Sequence, residues 1–147
     1  MGGQTLHLAE LTNGSIFAID SHEPSIERLR TTIASLGLTH RIQPLVGDMA
    51  KPNQPPQSFD IIWSEGALYN VGIQQGLTIC RELLRPQGFL CFTDAVWLKD
   101  NPPAPVKESF EADYPTMGRV ADVLRAIEGA GFTLLEHFTL PDNAWWD

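Results

Sequence analysis

Short apolar runs alternate along this chain with segments whose apolar residues recur at helical spacing, and this alternation constrains the fold more than any other feature. The run Ile16–Ile19 precedes a segment in which Ile26, Leu29 and Ile33 follow one another at intervals of three or four residues. Runs of this length are typical of buried strands, and the wider spacing is typical of helices with one apolar face. Strands that alternate with helices predict the α/β class.

Five strands and five helices are predicted from these patterns and from the turn residues between them. A loop is expected at Lys51–Ser58, which holds three prolines, and a turn at Arg85–Gly88. The predicted strands are Ser15–Asp20, Arg41–Val46, Phe59–Ser64, Phe89–Trp97 and Phe132–Leu140. The predicted helices are Gly2–Leu11, Pro24–Leu36, Ile73–Leu84, Val106–Ala112 and Met117–Glu128.

The length, the charge and the opening residues argue against several classes of protein. At 147 residues the chain has the size of one domain, so residues 1–147 are expected to form a single domain. Its net charge of −8, from 10 basic and 18 acidic residues, argues against nucleic-acid binding. No apolar stretch approaches the roughly 20 residues of a membrane helix, and Met1–Thr5 lacks the positive charge of a secretory signal. We expect a cytoplasmic protein that binds neither nucleic acid nor membrane.

Cys80 and Cys91 are the two cysteines of the chain. Two thiols are too few for a disulfide framework or a zinc site, so no metal is expected. Unpaired cysteine is among the most buried residue types, and both residues are therefore expected to pack in the core.

Acidic residues stand where the predicted strands end. Asp20 ends the first run and Asp48 follows the second, while Glu65 follows the third and Asp94 lies on the fourth. Ligands of open parallel sheets bind beyond the carboxyl ends of the strands, so one of these acids is expected to accept hydrogen bonds from ribose hydroxyls and another from an adenine amino group. Asp20 and Asp48 are the candidates for this ligand binding. A purely structural role stays open, because Asp20 precedes the Pro24 helix, where a carboxylate stabilises exposed N–H groups.

Gly2 and Gly3 open the first predicted helix, and Asp20 follows Gly3 by 17 residues. A glycine-rich loop lets the backbone approach a nucleotide closely, and the spacing to an acid at the next strand end is similar to that of the dinucleotide-binding fingerprint. These two glycines are therefore candidates for cofactor binding.

Taken together, these residues resemble the class I S-adenosylmethionine-dependent methyltransferases. Gly2-Gly3-Gln4-Thr5 looks like the end of that family's glycine-rich motif, and Asp20 looks like its ribose-binding acid. Gly47-Asp48-Met49 is similar to its adenine-contacting segment. The segments Leu84–Phe89 and Ala130–Phe132 look like the turns before two later strands.

The resemblance implies a Rossmann-like methyltransferase fold, with a mostly parallel sheet and helices on both faces. The family's first strand would precede Gly2 and lie between the strands that end in Asp20 and Glu65, so this strand is expected to be missing and the domain to be partial at both ends. Strand edges with unpaired backbone groups are costly in a core. The two flanking strands are therefore expected either to pair directly or to be covered by a second copy in a homodimer.

The function implied by the resemblance is methyl transfer from S-adenosylmethionine to a small molecule. Trp63–Asn70 is similar to a segment of mostly uncharacterised bacterial small-molecule methyltransferases. Glu65 and Tyr69 are expected to line the site as catalytic residues, since a base near the strand ends helps when the acceptor loses a proton; Asp94 and His22 are further candidates. The residues expected to hold the cofactor are Gly2, Gly3, Asp20, Ser21, Asp48, Met49, Ser64 and Glu65.

Two other interpretations stay open at this point. The chain is alternatively a non-catalytic remnant that no longer binds cofactor and associates with itself or with a partner. A nicotinamide-dependent oxidoreductase is disfavoured, because no further glycine motif precedes Gly2. Trp145 and Trp146 are expected either to have covered a substrate pocket or to form an exposed apolar end.

Overall fold

Helices and parallel strands alternate in the computed structural model, which describes residues 2–141 and 144. The chain forms two compact units, residues 1–54 and 55–147. The expectation that residues 1–147 act as one domain stays a prediction. The first unit contains α1 (Gly3–Leu11), β1 (Ile16–Asp20), α2 (Glu23–Ser35) and β2 (Ile42–Val46). The second contains β3 (Phe59–Glu65), a 3-10 helix (Leu68–Val71), α3 (Ile73–Leu83), β4 (Leu84–Thr93), α4 (Ala104–Asp113) and α5 (Val120–Gly129).

The first unit is built on two parallel strands. β1 pairs with β2 in a register that places Ile16 opposite Ile42 and Asp20 opposite Val46. Apolar residues of α2 recur on one face because they are three or four positions apart, and this face packs on the sheet. The buried cluster of the unit consists of Ala9, Leu29, Ile33 and Ile42.

Arg41 sets the direction of α1 along this sheet. Its guanidinium donates to the Thr12 carbonyl oxygen and, at 3.2 Å and 3.3 Å, to those of Ala9 and Gly14. It thereby satisfies carbonyl groups that the end of a helix leaves without partners. Arg41 directly precedes β2, so α1 ends at the amino edge of the sheet and begins on the side of its carboxyl edge.

The second unit contains a separate two-stranded parallel sheet. β3 pairs with β4, with Phe59 opposite Leu84 and Glu65 opposite Thr93. One face of this sheet packs against α3 and α5. The buried cluster consists of Leu68, Leu77, Cys80 and Ala126. Strand pairing in the described residues joins β1 to β2 and β3 to β4, so the expected direct pairing of the strands ending in Asp20 and Glu65 is wrong.

The borders of β4 differ from the prediction at both ends. The expected turn Arg85–Gly88 belongs to the strand, which follows α3 directly and carries a register irregularity at this point. Gln87 has a left-handed φ of 64° there, as is typical of a bulge. The strand ends at Thr93 rather than Trp97 because β3 ends opposite, at Glu65, and offers no further partner.

The expected closing strand Phe132–Leu140 is wrong. These residues form no ladder with any strand of the part that the structure describes, and α5 begins at Val120 rather than Met117. A strand needs a partner for its N–H and C=O groups. Leu135 is 75% exposed and Phe138 is 76% exposed, so this segment also lacks a covering layer.

The alternation of side chains between the two faces of the second sheet explains why the prediction for one cysteine is wrong. Cys80 is buried in α3 as expected, but Cys91 is exposed, so the expectation that both pack in the core is wrong for Cys91. Side chains of a strand point alternately to opposite faces, and Cys91 lies on the face away from α3. The same face, called the outer face below, carries the exposed side chains of Ile61, Trp63 and Phe89.

Among the described helices none has the length and apolar character needed to cross a membrane.

Replacing Leu77 tests the second core. Its side chain is 0% exposed, so Leu77→Ala should lower the free energy of unfolding by about 2–5 kcal/mol through lost burial and a residual cavity. Urea denaturation measures this difference. Leu135→Ala, in the same unit but exposed, is the matched control and should change the free energy by no more than about 0.5 kcal/mol. Equal losses in the two variants would contradict the packing described here.

Candidate functional site

The two acidic candidates of the first unit lie at one edge of its sheet. Asp20 ends β1 and pairs with Val46, the last residue of the parallel strand β2. The Gly47 N–H donates to the Asp20 carbonyl oxygen at 3.0 Å, which extends the pairing by one residue beyond the ladder. Asp48 follows directly. The structure therefore brings Asp20 and Asp48 to the same carboxyl edge, as the sequence predicts.

Each of these carboxylates is held in place by a hydrogen bond that one of its oxygens accepts from the backbone. Asp20 Oδ1 accepts a hydrogen bond from the His22 N–H at 2.8 Å, and Asp48 Oδ1 accepts one from the Ala50 N–H at 2.8 Å. The Asp20 bond holds the turn that leads into α2, so the structural role left open by the sequence is real. Both side chains are exposed, and the described residues give the Oδ2 atom of neither carboxylate a hydrogen-bond partner.

Gly47 packs closely against the end of β1 in this arrangement. A Cβ atom at this position would lie 3.0 Å from Ile19 Cδ1 and 3.3 Å from Ile19 Cγ1. A larger residue would require the Ile19 side chain at the end of β1 to shift. Of the neighbouring candidates, Ser21 is exposed and Met49 is half-buried beside the same edge.

Gly2 and Gly3 form the start of α1. Gly2 has a left-handed φ of 83°, which glycine adopts without strain, and a Cβ atom there would lie 3.3 Å from Leu29 Cδ1. Gly3 faces open space, with no atom within 4 Å of a Cβ built on it. Because α1 begins on the side of the carboxyl edge, the two glycines offer an open stretch of backbone near the end of the sheet that carries Asp20.

The candidates on β3 stand at the corresponding edge of the second sheet. Glu65 Oε1 accepts a hydrogen bond from Trp63 Nε1 at 2.6 Å, so its carboxylate is held against the outer face. Ser64 precedes it and is half-buried. The Gly66 N–H donates to Thr93 Oγ1 at 3.0 Å and closes the strand pair.

Tyr69 belongs to a group of side chains that the sequence did not assemble. Its ring stacks on that of Tyr114, with centroids 4.8 Å apart and planes inclined by 21°. The Tyr114 hydroxyl donates to Asp94 Oδ2 at 3.0 Å, and the Ala95 N–H donates to Asp94 Oδ1 at 3.0 Å. These three side chains are called the Asp94 cluster. The described contacts join Tyr69 to this cluster and not to Glu65.

Tyr114 is the functional candidate that the sequence analysis missed. It follows α4 and is only 4% exposed, while Asp94 and Tyr69 are half-buried. Composition was the one sequence feature that could have drawn attention to Tyr114, because the chain has two tyrosines and both lie in the cluster. Position along the chain gave no indication that a residue after the fourth helix returns to the end of β4.

The environment of the Asp94 cluster disfavours negative charge. Burial raises the pKa of Asp94 above its ordinary value, and the hydrogen bonds from Tyr114 and from the Ala95 N–H oppose this shift only in part. Burial, followed by the charge of Asp94, also raises the pKa of Tyr114, which therefore stays a protonated donor. None of the ion pairs formed by described residues includes Asp94.

Other surface features of the described residues do not add to these sites. No three His, Cys, Asp or Glu side chains gather there as metal ligands. Two open depressions are present, one along the outer side of α2 and one beside α5. Neither is lined by a predicted site residue. Trp145 and Trp146 lie outside the described residues.

Comparison with known proteins shows which family of domains matches this chain. A sequence profile of a methyltransferase domain matches residues 1–88. Sterol 24-C-methyltransferase erg6 of Aspergillus fumigatus is 26% identical over 154 residues, which cover 97% of this chain and 40% of that protein. The cyclase SpnF superposes with a TM-score of 0.78 and 19% identity over 92% of this chain and 48% of its own. Geranyl diphosphate methyltransferase in complex with SAM superposes with a TM-score of 0.77 and 14% sequence identity. The superposition covers 88% of this chain and 53% of that protein.

These matches confirm the Rossmann-like methyltransferase fold that the sequence predicts. At such low identity the structural likeness concerns the fold alone, and it includes a cyclase as well as a methyltransferase. The chain spans about half the length, or less, of these three proteins. Its reaction therefore has to be argued from its own residues and from the family.

Removing the Tyr114 hydroxyl should raise the pKa of Asp94 further, because the lost hydrogen bond stabilises the carboxylate over the acid. We expect this increase in Tyr114→Phe, measured by NMR titration of the Asp94 carboxyl carbon. Tyr69→Phe is the matched control, since it retains the ring and removes a hydroxyl that makes no hydrogen bond to Asp94. A lower pKa in Tyr114→Phe, or the same increase in both variants, would contradict the described geometry.

Proposed function

Since this chain belongs to the family of methyltransferase domains, we propose that it transfers a methyl group from S-adenosylmethionine to a small molecule. The family match confirms the resemblance on which the sequence analysis relied. The observation that carries the proposal is the carboxyl edge of the first unit, where Asp20 and Asp48 stand at neighbouring strand ends and the described residues engage only one oxygen of each carboxylate. An exposed acidic pair of this kind matches a ligand that presents several hydrogen-bond donors.

The residues of this edge fit the donor groups of the cofactor. Ribose hydroxyls are donors, and Asp20 offers a fixed carboxylate to accept from them. The adenine amino group is a donor that Asp48 can accept from, with Met49 beside it as an apolar surface. Gly2 and Gly3 leave backbone open to a close approach, because no Cβ intervenes. Ser21 completes this set in the first unit, and the cofactor contacts of Ser64 and Glu65, in the second unit, stay predictions.

Catalysis in this proposal is mainly a matter of position. When bound, S-adenosylmethionine supplies a methyl group on a positively charged sulfur. The chain's part is to hold cofactor and acceptor in line and to exclude alternative orientations. We propose that Glu65 and Tyr69 line the acceptor side. Glu65 is held in place by Trp63, and its second carboxylate oxygen can accept a proton from the acceptor.

The acceptor in this proposal is a small molecule rather than a nucleic acid. A net charge of −8 repels a phosphate backbone, whereas it attracts cations and tolerates neutral compounds.

Association of two copies stays part of the proposal. The outer face exposes Ile61, Trp63 and Phe89 on two adjacent strands, and contiguous apolar surface of this kind is typical of protein interfaces. The predicted homodimer would cover the edge of the missing strand, so this face supports association of two copies through a different surface. The non-catalytic alternative has no observation in its favour.

Cofactor binding is tested by thermal unfolding with S-adenosylhomocysteine. Ligand at 100 times its dissociation constant should stabilise the protein by about 2.7 kcal/mol. Asp20→Asn and Asp48→Asn should each weaken binding by about tenfold to a hundredfold, because each removes a charged acceptor. Labelled methyl transfer then identifies acceptors.

The control for both variants is Glu10→Gln. Glu10 is an exposed acid on α1, where it pairs with His7, so this variant makes the same change of charge away from the carboxyl edge. Binding that is equally weak in the control would mean that only overall charge matters. No stabilisation of the unaltered protein at millimolar ligand would overturn the proposal and favour the non-catalytic alternative.

A further inference from the structure

Asp94 is a half-buried carboxylate to which the described residues give hydrogen bonds but no ion pair. Both oxygens are fixed, one by the Tyr114 hydroxyl and one by the Ala95 N–H. No ion pair of the described residues includes it. A carboxylate has about four acceptor positions, so capacity for a further donor remains. Partial burial of an anion is costly unless a cation compensates it.

Two stacked aromatic rings are joined to this carboxylate through the Tyr114 hydroxyl. The buried Tyr114 ring supports the half-buried Tyr69 ring by stacking, and part of the Tyr69 ring stays accessible. Aromatic faces attract cations through the negative potential of the ring. A fixed carboxylate next to stacked phenol rings therefore selects a positively charged group over a neutral one of the same shape.

The position of the cluster connects it to the reaction. Asp94 follows Thr93, the residue that pairs with Glu65, so it stands at the carboxyl edge of the second sheet. Tyr69 follows β3 on the 3-10 helix and reaches the same cluster. Glu65 and Tyr69 are the two residues already proposed to line the acceptor side.

We propose that the Asp94 cluster binds the amino group of the methyl acceptor and that the acceptor is a small amine. This inference rests on the proposed function for its reaction, but the binding site itself does not depend on it. Asp94 and the Tyr69 ring contact the ammonium group. Tyr114 is a positioning residue, because its hydroxyl orients the Asp94 carboxylate and its ring supports Tyr69.

Methyl transfer to this amine needs only the groups already named to balance its protons and electron pairs. The ammonium form of the amine transfers one N–H proton to the Asp94 carboxylate, which frees the nitrogen lone pair. This pair forms the new N–C bond to the methyl carbon as the C–S bond breaks, and its electrons remain on the sulfur to give S-adenosylhomocysteine. The proton on Asp94 then passes to water.

The test compares an amine with the alcohol of the same skeleton. Binding of phenethylamine, N-methylphenethylamine and 2-phenylethanol is measured by calorimetry in the presence of S-adenosylhomocysteine. The two amines should bind and the alcohol should not. Asp94→Asn should weaken amine binding by about tenfold to a hundredfold, and Tyr114→Phe by less, because the ring and the charge remain. Asp113→Asn, an exposed acid next to Tyr114, is the matched control and should bind as the unaltered protein does.

The outcomes separate this inference from the proposed function. Stabilisation by S-adenosylhomocysteine should be unchanged in Asp94→Asn, which also shows that the variant is folded. If the cofactor product binds but the amines do not bind, bind no better than the alcohol, or bind Asp94→Asn equally well, the amine site is overturned. If the amines bind in an Asp94-dependent way while the cofactor product does not, the site stands and the methyltransferase proposal fails. Absence of both kinds of binding overturns both.

Discussion

Parallel pairing of strands decides where the chemically useful side chains of this chain end up. In each pair the carboxyl ends lie side by side, so residues that are far apart along the chain become neighbours in space. Asp20 and Asp48 are 28 positions apart, 48 minus 20, yet the bond from the Gly47 N–H to the Asp20 carbonyl oxygen joins their strands at the last step. The close packing of Gly47 against Ile19 allows this join. Without that pairing the two carboxylates would be ordinary surface acids.

The second unit shows what happens where such a pairing stops. β3 ends at Glu65, and the chain after Thr93 leaves the ladder. The Trp97 N–H then donates to the Gly118 carbonyl oxygen at 2.8 Å, which ties this departing segment to the start of the α5 region. Tyr114 lies between α4 and that contact. The end of the ladder is thus the physical reason why Asp94 meets a tyrosine 20 residues later.

The acids of the two units are in different electrostatic situations. Asp20 and Asp48 are exposed, so water compensates their charge and they serve as acceptors at little cost. Asp94 is half-buried, and burial disfavours its charged form. An exposed acid is suited to accept hydrogen bonds from hydroxyl and amino groups of a cofactor. A half-buried acid gains more from a cation, and it also takes up a proton more readily.

The sequence by itself determined the elements and the first carboxyl edge. Apolar periodicity is a local property, so α1 to α3 and β1 to β3 lie within a residue or two of their predicted positions. Acids that follow a strand must lie at its carboxyl end, so Asp20 and Asp48 were predictable as well. Tertiary structure decided what depends on partners that local pattern does not specify. The pattern of Phe132–Leu140 predicts a strand, but no described strand pairs with it. Cys91 lies on an uncovered face of the second sheet. Tyr114 contacts Asp94 because the chain leaves the sheet at the end of β4. Hydrogen bonding and burial are relations between distant residues, and only the folded chain fixes them.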